Sequence, residues 1–298
     1  MTFPLHHVQQ PRRHFLQEAT LVLTAAATIP PVLAAAAENP VLRFGLITDL
    51  HYADKPAAGT RYYRETLDKL AEAADHFEND SLDFLVELGD LIDRADSVPT
   101  ELGYLRRVDH EFASICAERH YVLGNHCVDT LRKEEFLDEV HQKESFYAFH
   151  RSGIHFLVLD ACFRHDGLPY GRKNFVWTDT NIPPHELEWL EGELASGHEP
   201  VIVFAHQRLD VGDKHGVRNN AAVRQLLERS GRVLAVFQGH SHKNDYREIG
   251  RIHYCTHVAM VEGSGSGNNA YSTVDIHHDG SLQLHGFRQQ ESYHWPES

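Results

Sequence analysis

The chain has 298 residues, 42% of them hydrophobic, and a formal net charge of −15. That length suits one large α/β domain with a sizeable core, and the acidic balance excludes the Lys/Arg surface that a nucleic-acid backbone requires. Histidine is over-represented at 24 residues, which directs attention to metal binding.

Residues 1–37 differ from the rest. Arg12-Arg13 precede Phe15-Leu16, a weakly apolar run, and four alanines before Glu38. A short basic stretch, an apolar stretch and small residues at a cleavage point mark a secretory signal. The paired arginines followed by Phe-Leu resemble the twin-arginine export signal of bacteria. A transmembrane anchor is the competing reading, but Pro30-Pro31 interrupts the run and alanine dominates it. The expectation is a periplasmic or secreted protein that meets the membrane only during export, with its working domain at 38–298. Cys116, Cys127, Cys162 and Cys255 are widely spaced and form neither a zinc ribbon nor a dense disulfide framework. Mostly free, buried thiols are expected.

Strands and helices alternate after residue 40. Apolar runs at 41–48, 82–89, 120–124, 154–160, 200–206 and 232–239 predict buried strands. Segment 61–77 predicts a helix, with Tyr63, Leu67, Leu70, Ala74 and Phe77 recurring at spacings of four and three. Further helices are predicted at 101–118, 184–196 and 219–230, the third of these four opened by Pro183-Pro184. The tail at 251–287 alternates, carries an Asp279-Gly280 turn and predicts an antiparallel meander. One α/β domain with a mixed sheet system and outer helices follows.

What stands after each strand matters most. After 41–48 come Asp49 and His51; after 82–88, Gly89-Asp90 and then Asp93; after 120–123, Gly124-Asn125-His126; after 200–205, His206; after 232–238, "GHSH" with His240 and His242. Each piece alone has a plain reading: a chance DxH, a hydrogen-bonded strand-end histidine, a tight turn at Gly-Asn. Alternate residues of an extended chain, however, point to one side. Open α/β sheets bind ligands beyond the carboxyl ends of their strands, so these five ends could line one crevice.

The ordered set D-x-H, G-D-x-x-D-R, G-N-H, a lone H and G-H-x-H, from Asp49 to His242, resembles the calcineurin-like metallophosphoesterases. The resemblance implies a four-layer αββα sandwich with two mixed β-sheets and a dinuclear metal centre at the strand ends. It implies Asp49, His51 and His242 on one metal, Asn125, His206 and His240 on the other, and Asp90 bridging them. His126 would contact the substrate, Asp93 would orient His126, and Arg94 would touch phosphate. Segment 48–70, with its Tyr-Ala-Asp and Arg-Tyr-Tyr-Arg run, is similar to the manganese-dependent ADP-ribose/CDP-alcohol diphosphatases, and 170–194 is similar to the same subgroup. Relatives in its vertebrate branch carry Gln where this chain has His51. Under that likeness Arg61 or Tyr62 would reach the distal part of the substrate; the alternative is a plain helix start with Tyr63 on the core face.

The chemistry suits the residues. Two divalent cations about 3.5–4 Å apart can bind phosphoryl oxygens and share a bridging hydroxide, so an acidic protein can take an acidic substrate. Donors drawn only from O and N permit Mn, Fe, Zn or Mg. The expected activity is cleavage of a phosphodiester or pyrophosphate bond in a small nucleotide derivative. The alternatives are a phosphomonoesterase, a cyclic nucleotide phosphodiesterase or a non-catalytic metal-binding protein. Cys127 is expected to pack beside the site, and the Gly/Ser/Asn-rich stretch within 253–278 to be either a surface connection or a cover over the substrate.

Overall fold

The computed structural model describes residues 39–296 and Met1; the expected signal at 1–37 falls, but for Met1, outside the described residues. Two six-stranded sheets lie face to face. In the first, β1 (Leu42–Ile47), β2 (Phe84–Glu87) and β3 (Arg119–Tyr121) run parallel. Beside β1, the antiparallel strands β10 (Ala270–Ile276), β11 (Leu282–Arg288) and β12 (Tyr293–Trp295) complete the order β12-β11-β10-β1-β2-β3. The second sheet has the order β4-β5-β6-β7-β9-β8. Its members are β4 (Tyr147–Arg151), β5 (Ile154–Val158), β6 (Val201–Phe204), β7 (Val233–Gln238), β8 (Asp245–Ile249) and β9 (Ile252–Thr256).

Strand alternation decides which side chains go where. Leu42, Phe44 and Leu46 of β1 and Phe84 and Val86 of β2 point between the sheets, where they meet Phe156, Phe204 and Phe237. Phe44 stacks on Phe84 with ring centres 4.9 Å apart and meets Phe156 and Phe204 edge-on at 5.9 and 5.8 Å. Such aromatic pairs contribute about 0.5–1.5 kcal/mol each beyond their buried area. On the outer face of the first sheet, α1 (Thr66–Asp80), α2 (Val98–Ile115) and α3 (Lys133–Glu139) bury Leu70, Phe77, Leu105, Phe112 and Phe136 against Ile47, Leu85 and Tyr121. On the outer face of the second, α4 (Pro184–Ala195) and α5 (Asn220–Ser230) bury Leu190, Val223 and Leu227 against Val203 and Val236. This is the expected four-layer αββα sandwich. Among the described residues no helix is long and apolar enough to cross a membrane.

Ser97 caps α2, its Oγ accepting from the Thr100 N–H, and Pro184 opens α4. The first helix begins later than its periodicity predicts. Residues 58–61 bridge back on themselves, Arg61 also bridges Glu262, and Tyr63–Glu65 form a 3₁₀ turn before Thr66. The tail also differs from a single meander. Strand β9 lies parallel beside β7 in the second sheet, and only β10, β11 and β12 form a meander in the first. Alternation assigns a strand, but not the sheet it joins.

Candidate metal centre

The parallel strands β1, β2 and β3 end at one edge of their sheet, and β6 and β7 end at one edge of theirs. Asp49, His51, Asp90, Asn125, His206, His240 and His242 follow these ends. Tight turns are needed to bring them together. Asp49, His51, Asp90, His240 and His242 all have positive φ, between 47° and 69°, a region that costs non-glycine residues roughly 1–2 kcal/mol each. Glycine permits the close approach of the turns. A side chain at Gly124 would collide with the Asp90 carboxylate and backbone N, and one at Gly239 would collide with Thr48 and Asp49.

Two donor trios result. In the first, Asp49 Oδ1 lies 3.2 Å from His242 Nε2 and 3.6 Å from His51 Nε2, and the two imidazole Nε2 atoms are 3.2 Å apart. In the second, His206 Nε2 lies 3.2 Å from Asp90 Oδ2 and 3.2 Å from His240 Nδ1. Asp90 Oδ2 is also 3.5 Å from His51 Nε2, so one carboxylate faces both trios. Asn125 Oδ1 is buried without a hydrogen-bond partner and lines the same cavity.

Neighbours set the tautomers. His51 Nδ1 faces Asp93 Oδ2 at 3.0 Å, His206 Nδ1 faces the Leu88 carbonyl at 2.9 Å, and His242 Nδ1 faces Glu262 Oε1 at 2.6 Å. Each of these rings therefore turns its Nε2 inward as a lone-pair donor. Thr48 Oγ1 and the His240 N–H both donate to Asp49 Oδ2, leaving Asp49 Oδ1 to face inward.

Electrostatics follow from this facing of acids and imidazoles. Burial alone would raise the Asp49 and Asp90 carboxyls, but His242 and His206 beside Asp49, and His206 and His126 beside Asp90, hold both well below the usual carboxylate range. Burial would lower His242, yet Asp49 and Glu262 push it up to about 9. His240, buried and beside His206, falls to about 3, and burial takes His126 to about 4.

Above the trios lies a cavity of about 630 Å³. Asp90, Asn125, His126, His240 and His242 line it, Lys55, Arg61 and Arg94 supply cationic groups, and Phe175 and Trp177 supply apolar faces. His126 crosses His51 edge-on at 4.6 Å, and its Nδ1 is 3.5 Å from Asp93 Oδ2. Asp93 is thus closer to His51 than to His126, and it also holds Lys55 Nζ at 2.6 Å and Arg61 Nη1 at 3.4 Å. Orienting His126 is at most a shared task for it. Arg94 is exposed on the rim, its Nε 3.9 Å from Asp129.

Tyr62 lies outside this cavity. It lines an adjoining hollow with Thr60, Lys243 and Glu262, beyond His242, while Tyr63 lines the main cavity with Lys55 Nζ over its ring at 4.2 Å. Tyr63 is also buried against Ala53, Ala259 and Val261, so the core-facing reading of its position holds as well. Cys127 is fully buried, and all four cysteines are free.

Sequence reasoning missed Lys55, Trp177 and Glu262. Lys55 follows the DxH motif closely and could have been marked as a nearby cation. Nothing local in the Gly/Ser-rich segment indicates that Glu262 reaches His242. That segment is more than a plain connection: Lys69 Nζ donates to the carbonyls of Met260, Glu262 and Gly263, tying it to α1.

The donors suit two divalent cations. Each trio offers inward N and O atoms within 4.8 Å of one another, the orphaned Asn125 oxygen adds a neutral donor, and no thiolate takes part. A third grouping of His51, Asp93 and His126 also meets this spacing, but the Lys55 ammonium bound to Asp93 opposes a cation there.

Comparison with known proteins agrees. The sequence matches the Calcineurin-like phosphoesterase family model over residues 42–244. It is 25% identical to a manganese-dependent ADP-ribose/CDP-alcohol diphosphatase of Xenopus laevis, over 81% of this chain and 87% of that protein. It is 23% identical to a 3′,5′-cyclic adenosine monophosphate phosphodiesterase of Haemophilus influenzae, over 87% of this chain and 94% of that one. The fold matches a dimetal phosphatase from Danio rerio with a TM-score of 0.76 at 22% identity, covering 87% of this chain and all of that one. With its strand-end donors gathered in this order and its sequence matched across them, the chain belongs to the calcineurin-like phosphoesterase family of hydrolases.

Proposed function

We propose that the protein hydrolyses a phosphodiester or pyrophosphate bond in small nucleotide derivatives of the ADP-ribose or CDP-alcohol class. One observation carries this reading: the Asp90 carboxylate, part of one donor trio, also faces the other, on the floor of a cavity rimmed by cations and aromatic faces. Asp49, His51 and His242 would hold one divalent cation and Asn125, His206 and His240 a second, with Asp90 between. When bound, such cations polarise phosphoryl oxygens and lower the pKa of water toward neutrality.

The chain's own groups do the rest. His126 is neutral near pH 7, because burial lowers it to about 4. It offers an N–H to a phosphoryl or leaving-group oxygen. Arg61 and Lys55 can take the charge of a second phosphate, which a pyrophosphate carries and a simple monoester lacks. Trp177 presents an exposed ring at the cavity, a surface suited to a flat base. The similarity to the Xenopus diphosphatase supports the same substrate class.

The test is an assay of purified protein loaded with Mn²⁺ on ADP-ribose, CDP-choline and bis(p-nitrophenyl) phosphate. Turnover of a nucleotide diphosphate ester is expected; bound metal with no turnover of any of the three would overturn the proposal. Cyclic AMP belongs in the panel, because the Haemophilus relative favours a cyclic nucleotide phosphodiesterase as the second reading, and p-nitrophenyl phosphate reports a monoesterase.

The proposal includes export. Arg12-Arg13 with Phe15-Leu16 supports the twin-arginine route to the periplasm or beyond. A reporter fused behind residues 1–37 should leave the cytoplasm, and Arg12→Lys with Arg13→Lys should retain it there.

A further inference from the structure

The two trios have similar donors but unequal support. In the first, both imidazoles are backed by carboxylates: His51 Nδ1 by Asp93 at 3.0 Å and His242 Nδ1 by Glu262 at 2.6 Å. Asp93 divides its charge among His51, Lys55 and Arg61, which makes Glu262 the less diluted of the two. In the second trio, His206 is backed by a neutral carbonyl, that of Leu88, and the outward Nε2 of His240 is buried without a hydrogen-bond partner. A carboxylate acceptor makes an imidazole a stronger donor and fixes its ring. The first trio also has a carboxylate of its own, Asp49, whereas the second relies on Asp90, which faces His51 as well, and on the neutral Asn125 oxygen nearby.

Glu262 is built into its place. The Lys69 ammonium, itself buried, donates to the carbonyls on both sides of Glu262 and to that of Glu262 itself. The Tyr62 N–H donates to the Val261 carbonyl, and the Gly263 N–H to the Thr60 carbonyl. Glu65 takes hydrogen bonds from Ser264 and Gly265 at the far side. The backbone from 260 to 265 is therefore clamped between α1 and the 60–62 segment, and the Glu262 carboxylate has a fixed direction toward His242.

We propose that Glu262 is the positioning residue for His242 and that it makes the Asp49–His51–His242 trio the tighter of the two cation sites. The inference rests on the two-cation reading given above. It concerns a residue outside both donor trios that acts through His242.

Titration calorimetry of Mn²⁺ into the full-length, metal-free protein tests it, with thermal melting of the metal-free forms alongside. The wild type should take up two cations in two resolved steps. Glu262→Gln should weaken the tighter step by roughly 10–100-fold, the usual consequence of losing such a backing partner. The weaker step and the metal-free melting temperature should hold. Glu262→Asp, which keeps the charge, should recover part of the loss. The inference is overturned if the tighter step is unmoved, if the weaker step moves instead, or if both weaken alike as the metal-free melting temperature falls. A wild type that takes up fewer than two cations would instead overturn the reading beneath it.

Discussion

The two sheets bring different chemistry to the centre. The first supplies Asp49, His51, Asp90 and Asn125; the second supplies His206, His240 and His242 and no acid. One half carries the negative charge and the other is made of imidazoles. Each tunes the other across the gap: the carboxyls of Asp49 and Asp90 are held low by facing histidines, and His206 and His242 are raised by facing acids despite their burial. The halves therefore attract one another before any cation enters, and a cation that binds must displace the proton that joins them.

The sharpest way to break the contrast is to remove charge from the acidic half. Asp90→Asn keeps the shape but takes away the carboxylate that faces both trios. Losing several kcal/mol of charge stabilisation should cut kcat/KM by about 10³-fold or more, read as turnover of ADP-ribose together with metal content. His126→Ala tests the group above the halves. Turnover should fall by roughly 10²–10⁴-fold while Mn²⁺ content stays the same. Metal retained with turnover undiminished would favour simple metal storage.

pH sharpens the contrast next. His242 is raised from its ordinary 6.5 to about 9, so in the metal-free protein its pairing stabilises fully below pH 6.5 and is lost as pH rises through 9. The depressed Asp49 and Asp90 keep their contribution at every pH above the usual carboxylate range and lose it only in strong acid. Cation uptake must deprotonate His242, so Mn²⁺ affinity should climb by up to about tenfold per pH unit from 7 toward 9 while the metal-free melting temperature declines. Titrations at three pH values in that interval check both directions. The smallest effect is expected at the rim. Arg61→Ala should raise KM for ADP-ribose by about tenfold or somewhat more, since hydrogen bonds to charged groups contribute about 1.5–3 kcal/mol, and kcat should change little.

The sequence shows this contrast more readily than it shows the fold's edges. Strands β1, β2, β6 and β7 are legible because they are almost wholly buried and read as largely apolar runs, broken only by Arg43, Glu87 and Gln238, that lead into Asp or His. Strand β8, with the sequence DYREI and mostly exposed or half-buried, lacks such a run. Strand β4 and the seven-residue α3 are too short or too half-buried to leave a period, and β12 is three residues long. The trios could be listed from motifs, since each motif sits at a strand end. The backing residues could not: the motif includes Asp93 but points it to His126, whereas it lies closer to His51. Glu262 reaches His242 across twenty residues and two turns, and only the clamp formed by Lys69 reveals why.

The five ligand positions with left-handed backbone have a consequence for how this protein can change. Glycine at any of them would relax the backbone of a turn, yet it would delete a donor and, at Asp49, Asp90 or His242, one partner of a buried charge pair. These corners are therefore held by charge pairing as well as by the demands of turnover, and they leave little room for gain. A heat-stable descendant that retains activity should have gained its robustness elsewhere, in the aromatic layer between the sheets or on the outer helices.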